Sequence, residues 1–237
     1  MERWTALIAI LPFYGIPDAC AQNGSQNWLQ QSSGAISVFD RDGKAFVNPN
    51  TDVEGSAFFS NDWKMGRLVL YDNTVFTHIR LRLNLQTQQV HFLSPDGTEK
   101  VSHEGAVKEI TLYDSTAEHN TALVFRSGFP PVDNQDIKNF YEVLSGGKIL
   151  FLRSSRRIIS EQKDQLSGEV KKEFVEYEDY YVFAGGTMTR VKKDKAFIIN
   201  LLKDKEDQVK AFMAEKKFKL RSFDDITQIM AYYNSLP

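Results

Sequence analysis

Between Val75 and Leu85 the chain alternates with a period of two. Ile79, Leu81, Leu83 and Leu85 are aliphatic, and Arg80, Arg82 and Asn84 between them are polar. Successive side chains of a strand point to opposite faces, so the pattern predicts a half-buried antiparallel strand. Leu81 and Leu83 are expected in the core, and Arg82 in solvent. Short strands of this kind, broken by turns, are expected over residues 34–127. Ser94-Pro95-Asp96-Gly97 supplies one reverse turn, because Pro presets φ and Gly accepts a positive φ. Asp42-Gly43 and Asp72-Asn73 are similar punctuation.

Gly128 to Asp136 carries Pro130-Pro131 and no periodic pattern, and reads as a link between two halves. Beyond it, Tyr141 to Ile159 predicts two strands around Gly146-Gly147, and Phe174 to Val191 two more around Gly185-Gly186. The polar stretch Ser160 to Lys172 reads as a loop or a short helix. The period then changes. Ile198, Leu201 and Leu202 recur at helical spacing, as do Val209, Phe212 and Met213. A third helix is expected to open at Ser222, with Asp225 three residues on as a relative of the capping box. Its apolar stripe would be Phe223, Ile226, Met230 and Tyr233, docked on the chain's own sheet.

The expected fold is therefore α+β: an antiparallel, β-rich N-terminal half, further β-hairpins, and C-terminal helices packed on the sheet. Residues 34–127 and 135–237 form the two regions, either separate or as one continuous domain.

The first residues carry a different signal. Met1-Glu2-Arg3 is followed by an apolar run from Trp4 to Ile16, and Ala19-Cys20-Ala21 precedes Gln22. Thirteen apolar residues are too few to span a bilayer, and small residues stand where a signal peptidase cuts. Residues 1–21 thus read as a signal peptide, and the Gln-, Asn- and Ser-rich residues 22–33 as a flexible leader. Pro17 and Asp18 disfavour lipidation of Cys20, the one cysteine of the chain. After cleavage no cysteine remains for disulfides, metal binding or nucleophilic attack. With 29 basic and 31 acidic residues the net charge is −2, which lacks the basic footprint of a nucleic-acid partner. No later apolar run is long enough for a transmembrane helix.

Candidate chemistry is sparse. The four histidines are His78, His91, His103 and His119. A hairpin could bring His91 and His103 together, but two ligands do not make a zinc site, and they read as surface residues. Asp40-Arg41-Asp42-Gly43 lacks the distal ligands of a calcium loop and reads as a turn. Gly185-Gly186-Thr187 lacks the lysine of a phosphate-binding loop. Glu176, Glu178 and Asp179 lie among Phe174, Tyr177, Tyr180, Tyr181 and Phe183, the residue types of a glycosidase cleft. Period two nevertheless puts Val175, Tyr177, Tyr181 and Phe183 on one face and Glu176 and Glu178 on the other, as in a core face backed by a solvated one. Arg153, Arg156 and Arg157 could grip an anion, or could mark a strand emerging into solvent. The Lys-rich face around Lys203, Lys205, Lys210, Lys216 and Lys217 is interleaved with Asp204, Glu206, Asp207 and Glu215 and reads as solvated. No catalytic residue, metal ligand or cofactor is assigned, and the ligand-binding residues stay open.

Five stretches stand out together: Ala19-Cys20-Ala21-Gln22, Gly66-Arg67-Leu68-Val69-Leu70-Tyr71-Asp72, Phe140-Tyr141-Glu142-Val143-Leu144, Asp179-Tyr180-Tyr181-Val182-Phe183 and Tyr232-Tyr233-Asn234-Ser235-Leu236. In these the chain resembles a family of uncharacterised exported proteins of Bacteroidota. The resemblance implies an envelope location in a Gram-negative bacterium, periplasmic or outer-membrane-associated, and brings no catalytic residues with it. The expected function is a non-enzymatic envelope protein that binds another envelope component. The alternatives are a periplasmic carrier of an apolar ligand such as lipid in a curved β-sheet, and an enzyme acting on glycans.

Purified mature protein is expected to begin at Gln22. Intact-mass analysis of periplasmic material checks this, and a retained Met1 or a diacylated Cys20 contradicts it.

Overall fold

In the computed structural model, which describes residues 36–37, 52–114, 121–163, 165 and 168–237, the fold is α+β and rich in β-structure. Eleven strands are present among the described residues: β1 (Ile36–Ser37), β2 (Lys64–Leu70), β3 (Val75–Asn84), β4 (Gln89–Leu93), β5 (Glu99–Ser102), β6 (Val107–Asp114), β7 (Thr121–Arg126), β8 (Tyr141–Ser145), β9 (Leu150–Lys163), β10 (Val170–Ala184) and β11 (Thr187–Arg190). Three helices follow: α1 (Lys195–Leu201), α2 (Glu206–Glu215) and α3 (Phe223–Ser235). The strands form one antiparallel sheet in the order β1-β5-β4-β3-β2-β6-β7-β8-β9-β10-β11. Its ladder continues from β7 to β8 through Phe125↔Glu142 and Arg126↔Tyr141, so a single sheet runs through both halves.

The phase of β3 sets the core of the first half. Leu81, Leu83 and Leu85 are buried, as the alternation predicts, but so is Phe76, which lies out of phase with them. His78 resolves the conflict. It is the extra residue of a bulge, with φ of 56°, where Ile79 pairs with Gly66 and Thr77 with Arg67. One inserted residue flips the face of everything beyond it, so Phe76 and Leu81 enter the same core. Beside the bulge, Gly66 leaves no room for a side chain: a Cβ there would lie 2.4 Å from the Thr111 carbonyl oxygen.

The sheet must also roll. Residues 103–106 join β5 to β6, although β4, β3 and β2 lie between those strands. A flat path across four ladder spacings would need roughly 19 Å. Ala106 N–H instead donates to His103 O, which makes the link a turn. Rolling closes the gap and encloses Leu68, Phe76, Leu83, Phe92, Ile110 and Phe125 with their neighbours as one apolar cluster.

The second half is covered on both faces. On one, Ile149, Phe151, Val182 and Val191 pack against the helices. The stripe of α3 is buried there through Ile226, Ile229, Met230 and Tyr233, and Phe223 stacks on Tyr180 with centroids 3.6 Å apart. Asn234 fastens the helix end to the β8–β9 turn, accepting from Ile149 N–H and donating to Ser145 Oγ and Ile149 O. Ser222 occupies the N-cap position of α3 but makes no side-chain capping bond, whereas Asp194 accepts from Phe197 N–H at the start of α1.

On the other face Tyr141, Leu152, Tyr181 and Met188 form a cluster with Phe129. The stretch expected to be a link is therefore a cover: Phe129 meets Tyr141 and Phe183 edge-on, and Asp133 accepts from Tyr181 Oη at 2.9 Å. Burial pushes the Tyr141 and Tyr181 phenols up. Another expectation is corrected at Ser160–Lys172. Most of that stretch belongs to the long β9–β10 hairpin, whose pairing extends to Lys163↔Val170. Its oppositely charged cross-strand pairs, such as Glu161↔Lys172, suit an exposed ladder as well as they suit a loop. No helix among the described residues is long and apolar enough to cross a membrane.

Arg82 departs from its expected place in solvent. Its guanidinium lies between the rings of Phe58 and Trp63, 3.8 and 4.3 Å from their centroids, and donates to Glu99 at 2.7 Å. The polar face of β3 is thus roofed by an irregular segment. In urea melts Leu83→Ala should cost about 2–5 kcal/mol. Arg82→Ala should cost about 1–3 kcal/mol, because it empties an aromatic slot and removes the arginine partner of Glu99. Arg80→Ala, at an exposed position, should stay within about 0.5 kcal/mol of neutral. Equal effects of Arg80→Ala and Arg82→Ala would contradict the roof.

Candidate binding cleft

The roof begins at the edge of β10. Glu54 N–H donates to Lys172 O at 2.9 Å, and Phe174 N–H donates to Glu54 O at 3.0 Å, a single parallel bridge. Gly55 then turns the chain with φ of 90°, a conformation costly for any residue with a Cβ. The segment crosses the β9–β10 hairpin and reaches the end of β3. There Leu85 N–H donates to Ala57 O and Phe59 N–H to Leu83 O, both at 2.8 Å.

Where the segment passes over β9, Arg157 holds it from below. Nη1 donates to the carbonyl oxygens of Ser56, at 2.8 Å, and of Phe58. Nε and Nη2 donate to Glu176 Oε2 at 3.1 and 2.8 Å. Arg157 and Glu176 are direct cross-strand partners, so the ladder itself aligns the ion pair. The Arg157 N–H is also used, donating to Leu85 O at 3.1 Å. Gln88 adds a second tie, donating to Ser155 O and accepting from Phe140 N–H.

Between roof and hairpin lies a cleft of about 420 Å³, lined by Gly55, Ser56, Phe58, Phe59, Asn61, Arg157, Phe174 and Glu176. That volume falls in the roughly 300–1,000 Å³ range of small-ligand sites. Among the described residues Glu176 is the one carboxylate lining it, and its Oε1 takes no hydrogen bond from them. Ser56 Oγ accepts from Phe58 N–H at 3.1 Å and keeps its proton to donate. Behind the cleft, Phe58 meets the fully buried His91 ring edge-on at 4.8 Å. His91 Nδ1 lies 2.6 Å from Glu99 Oε1 and, against a carboxylate, must donate. That bond first, and then Arg82, holds the Glu99 carboxyl below its usual range against the opposing effect of burial.

The residues singled out from the sequence are dispersed or already paired. His91 is buried, not a surface residue, because the roof covers the polar face of β4; it pairs across the ladder with Val101, while His103 is exposed. His78 is exposed at its bulge. His119, the Asp40-Arg41-Asp42-Gly43 turn, residues 1–21 and the leader lie outside the described residues. Gly185 and Gly186, both at positive φ, form the tight β10–β11 turn. Neither reading of the arginines holds in full. Arg153 donates to Glu142 and Glu178, Arg156 lies 3.8 Å from Asp179, and Arg157 serves Glu176. Likewise the face carrying Glu176 and Glu178 is not simply solvated, since Val182 and Tyr180 on it pack under the helices. Glu178 accepts from Arg153 and from Tyr180 Oη, and Asp179 from Arg190, so the three carboxylates do not converge. No group of three His, Cys, Asp or Glu residues among the described residues is placed to hold a metal. Sequence reasoning missed Gly55, Ser56, Phe58, Phe59 and Asn61 altogether. The one signal pointing to the cleft was the opposite charge of Arg157 and Glu176 on facing strands.

No family model, curated protein or solved structure matches the chain.

Proposed function

We propose that the chain is an exported, non-catalytic binding protein of a Gram-negative cell envelope, which holds another envelope component in the cleft under the 52–63 segment. The observation that carries this reading is the state of the cleft's charges. Arg157 uses four of its five N–H donors on Glu176 and the roof, so the cleft is a shaped, prefastened receptor. Hydrolysis of a glycoside would call for two converging carboxylates, and among the described residues one lines the cleft. Carriage of an apolar ligand in the rolled half is disfavoured because side chains already occupy its interior. The export signal before Gln22 supports the compartment, and the resemblance to exported Bacteroidota proteins supports the envelope.

Asn61 is exposed and lines the cleft, so Asn61→Lys places an ammonium there without disturbing the core. Mature protein is expected to co-sediment with isolated sacculi or outer-membrane vesicles, and Asn61→Lys should change the retained fraction at least tenfold. Equal retention of the two proteins, or none of either, contradicts the proposal.

A further inference from the structure

We infer that the component held in the cleft is an uncharged glycan. This inference rests on the binding reading above and adds the ligand's chemistry. The electrostatics exclude the obvious anionic alternatives. Arg157, the one cation lining the cleft among the described residues, is spent on Glu176 Oε2 and on the Ser56 and Phe58 carbonyls. An incoming phosphate or carboxylate would have to displace Glu176 from it and leave that carboxylate beside the new anion. A cationic ligand fits little better, because the Arg157–Glu176 pair is already neutral as a unit.

What remains offered to a ligand is neutral hydrogen-bonding capacity beside aromatic surface. Glu176 Oε1 can accept, Ser56 Oγ–H can donate, and the Asn61 amide can do both. The half-buried rings of Phe58, Phe59 and Phe174 line the same space. Phe58 and Phe59 are held by other contacts, the first against Arg82 and His91 and the second edge-on against Phe125 at 5.0 Å. Phe174 is placed by its own backbone bond to Glu54. A sugar ring presents this complement: hydroxyls that donate and accept at its rim, and an apolar face of C–H groups for an aromatic wall. A lipid tail would offer no partner to Glu176 Oε1, Ser56 Oγ or the Asn61 amide. A fixed carboxylate gripped by arginine suits a hydroxyl donor, because its geometry is set before the ligand arrives.

Isothermal titration of the mature protein with chitotriose, cellotriose and maltotriose tests the inference, with trigalacturonate as the anionic counterpart. At least one neutral trisaccharide should bind without being cleaved. Asn61→Lys should weaken it at least tenfold, by capturing Glu176 Oε1 and filling the cleft. Phe174→Leu, which keeps the apolar bulk but removes the ring, should weaken it several-fold while melting like the wild type. Tighter binding of trigalacturonate than of every neutral probe, affinity indifferent to Asn61→Lys, or release of reducing ends overturns the inference. If no trisaccharide binds while envelope retention still responds to Asn61→Lys, the glycan inference falls and the binding reading stands. If retention is absent as well, both fall.

Discussion

One guanidinium joins three pieces of chain that the sequence keeps far apart. Arg157 leaves β9, pairs with Glu176 on β10, and takes the carbonyls of Ser56 and Phe58, about a hundred positions earlier, on its remaining nitrogen. Those carbonyls belong to a crossing segment that bonds to β3 only through Ala57 and Phe59, so the strand leaves them unsatisfied. A lysine would offer three donors on a point charge and could not bridge a carboxylate and two carbonyls in this fork. Remove the guanidinium, and the roof loses its floor while Glu176 becomes an unbalanced charge. Four of its five N–H donors tie the two walls of the cleft together.

The same logic runs through the rest of the sheet. Arg67 and Arg126 share Glu109, Arg82 and His91 share Glu99, and Arg153 bridges Glu142 and Glu178. Such pairs add little stability where water reaches them. Their effect here is to fix position, strand against strand and side chain against side chain.

The sequence announces the strands more clearly than their surroundings. Leu81, Leu83 and Leu85 declare a core face because burial imposes period two, and Phe223, Ile226, Met230 and Tyr233 declare a docked helix in the same way. Period two names two faces, however, and does not say whether a distant segment will cover the second. That is why Arg82 and His91 look like surface residues and are not. The His78 bulge is invisible as well, since one extra residue leaves no compositional trace beyond a polar side chain able to take positive φ. The cleft is least legible of all. Gly55 to Asn61 carry no periodic pattern, and their partners lie in a hairpin whose charged tip resembles a loop.

The claim that Arg157 holds the roof, and with it the cleft, is tested most directly by amide hydrogen exchange in Arg157→Met. The Phe59, Leu85 and Phe174 amides all form hydrogen bonds of the crossing segment, and the Val182 amide lies in the core of the hairpin. The account predicts that the first three lose protection together in the variant while Val182 keeps its own. Wild-type protection at Phe59, Leu85 and Phe174 in Arg157→Met would contradict it.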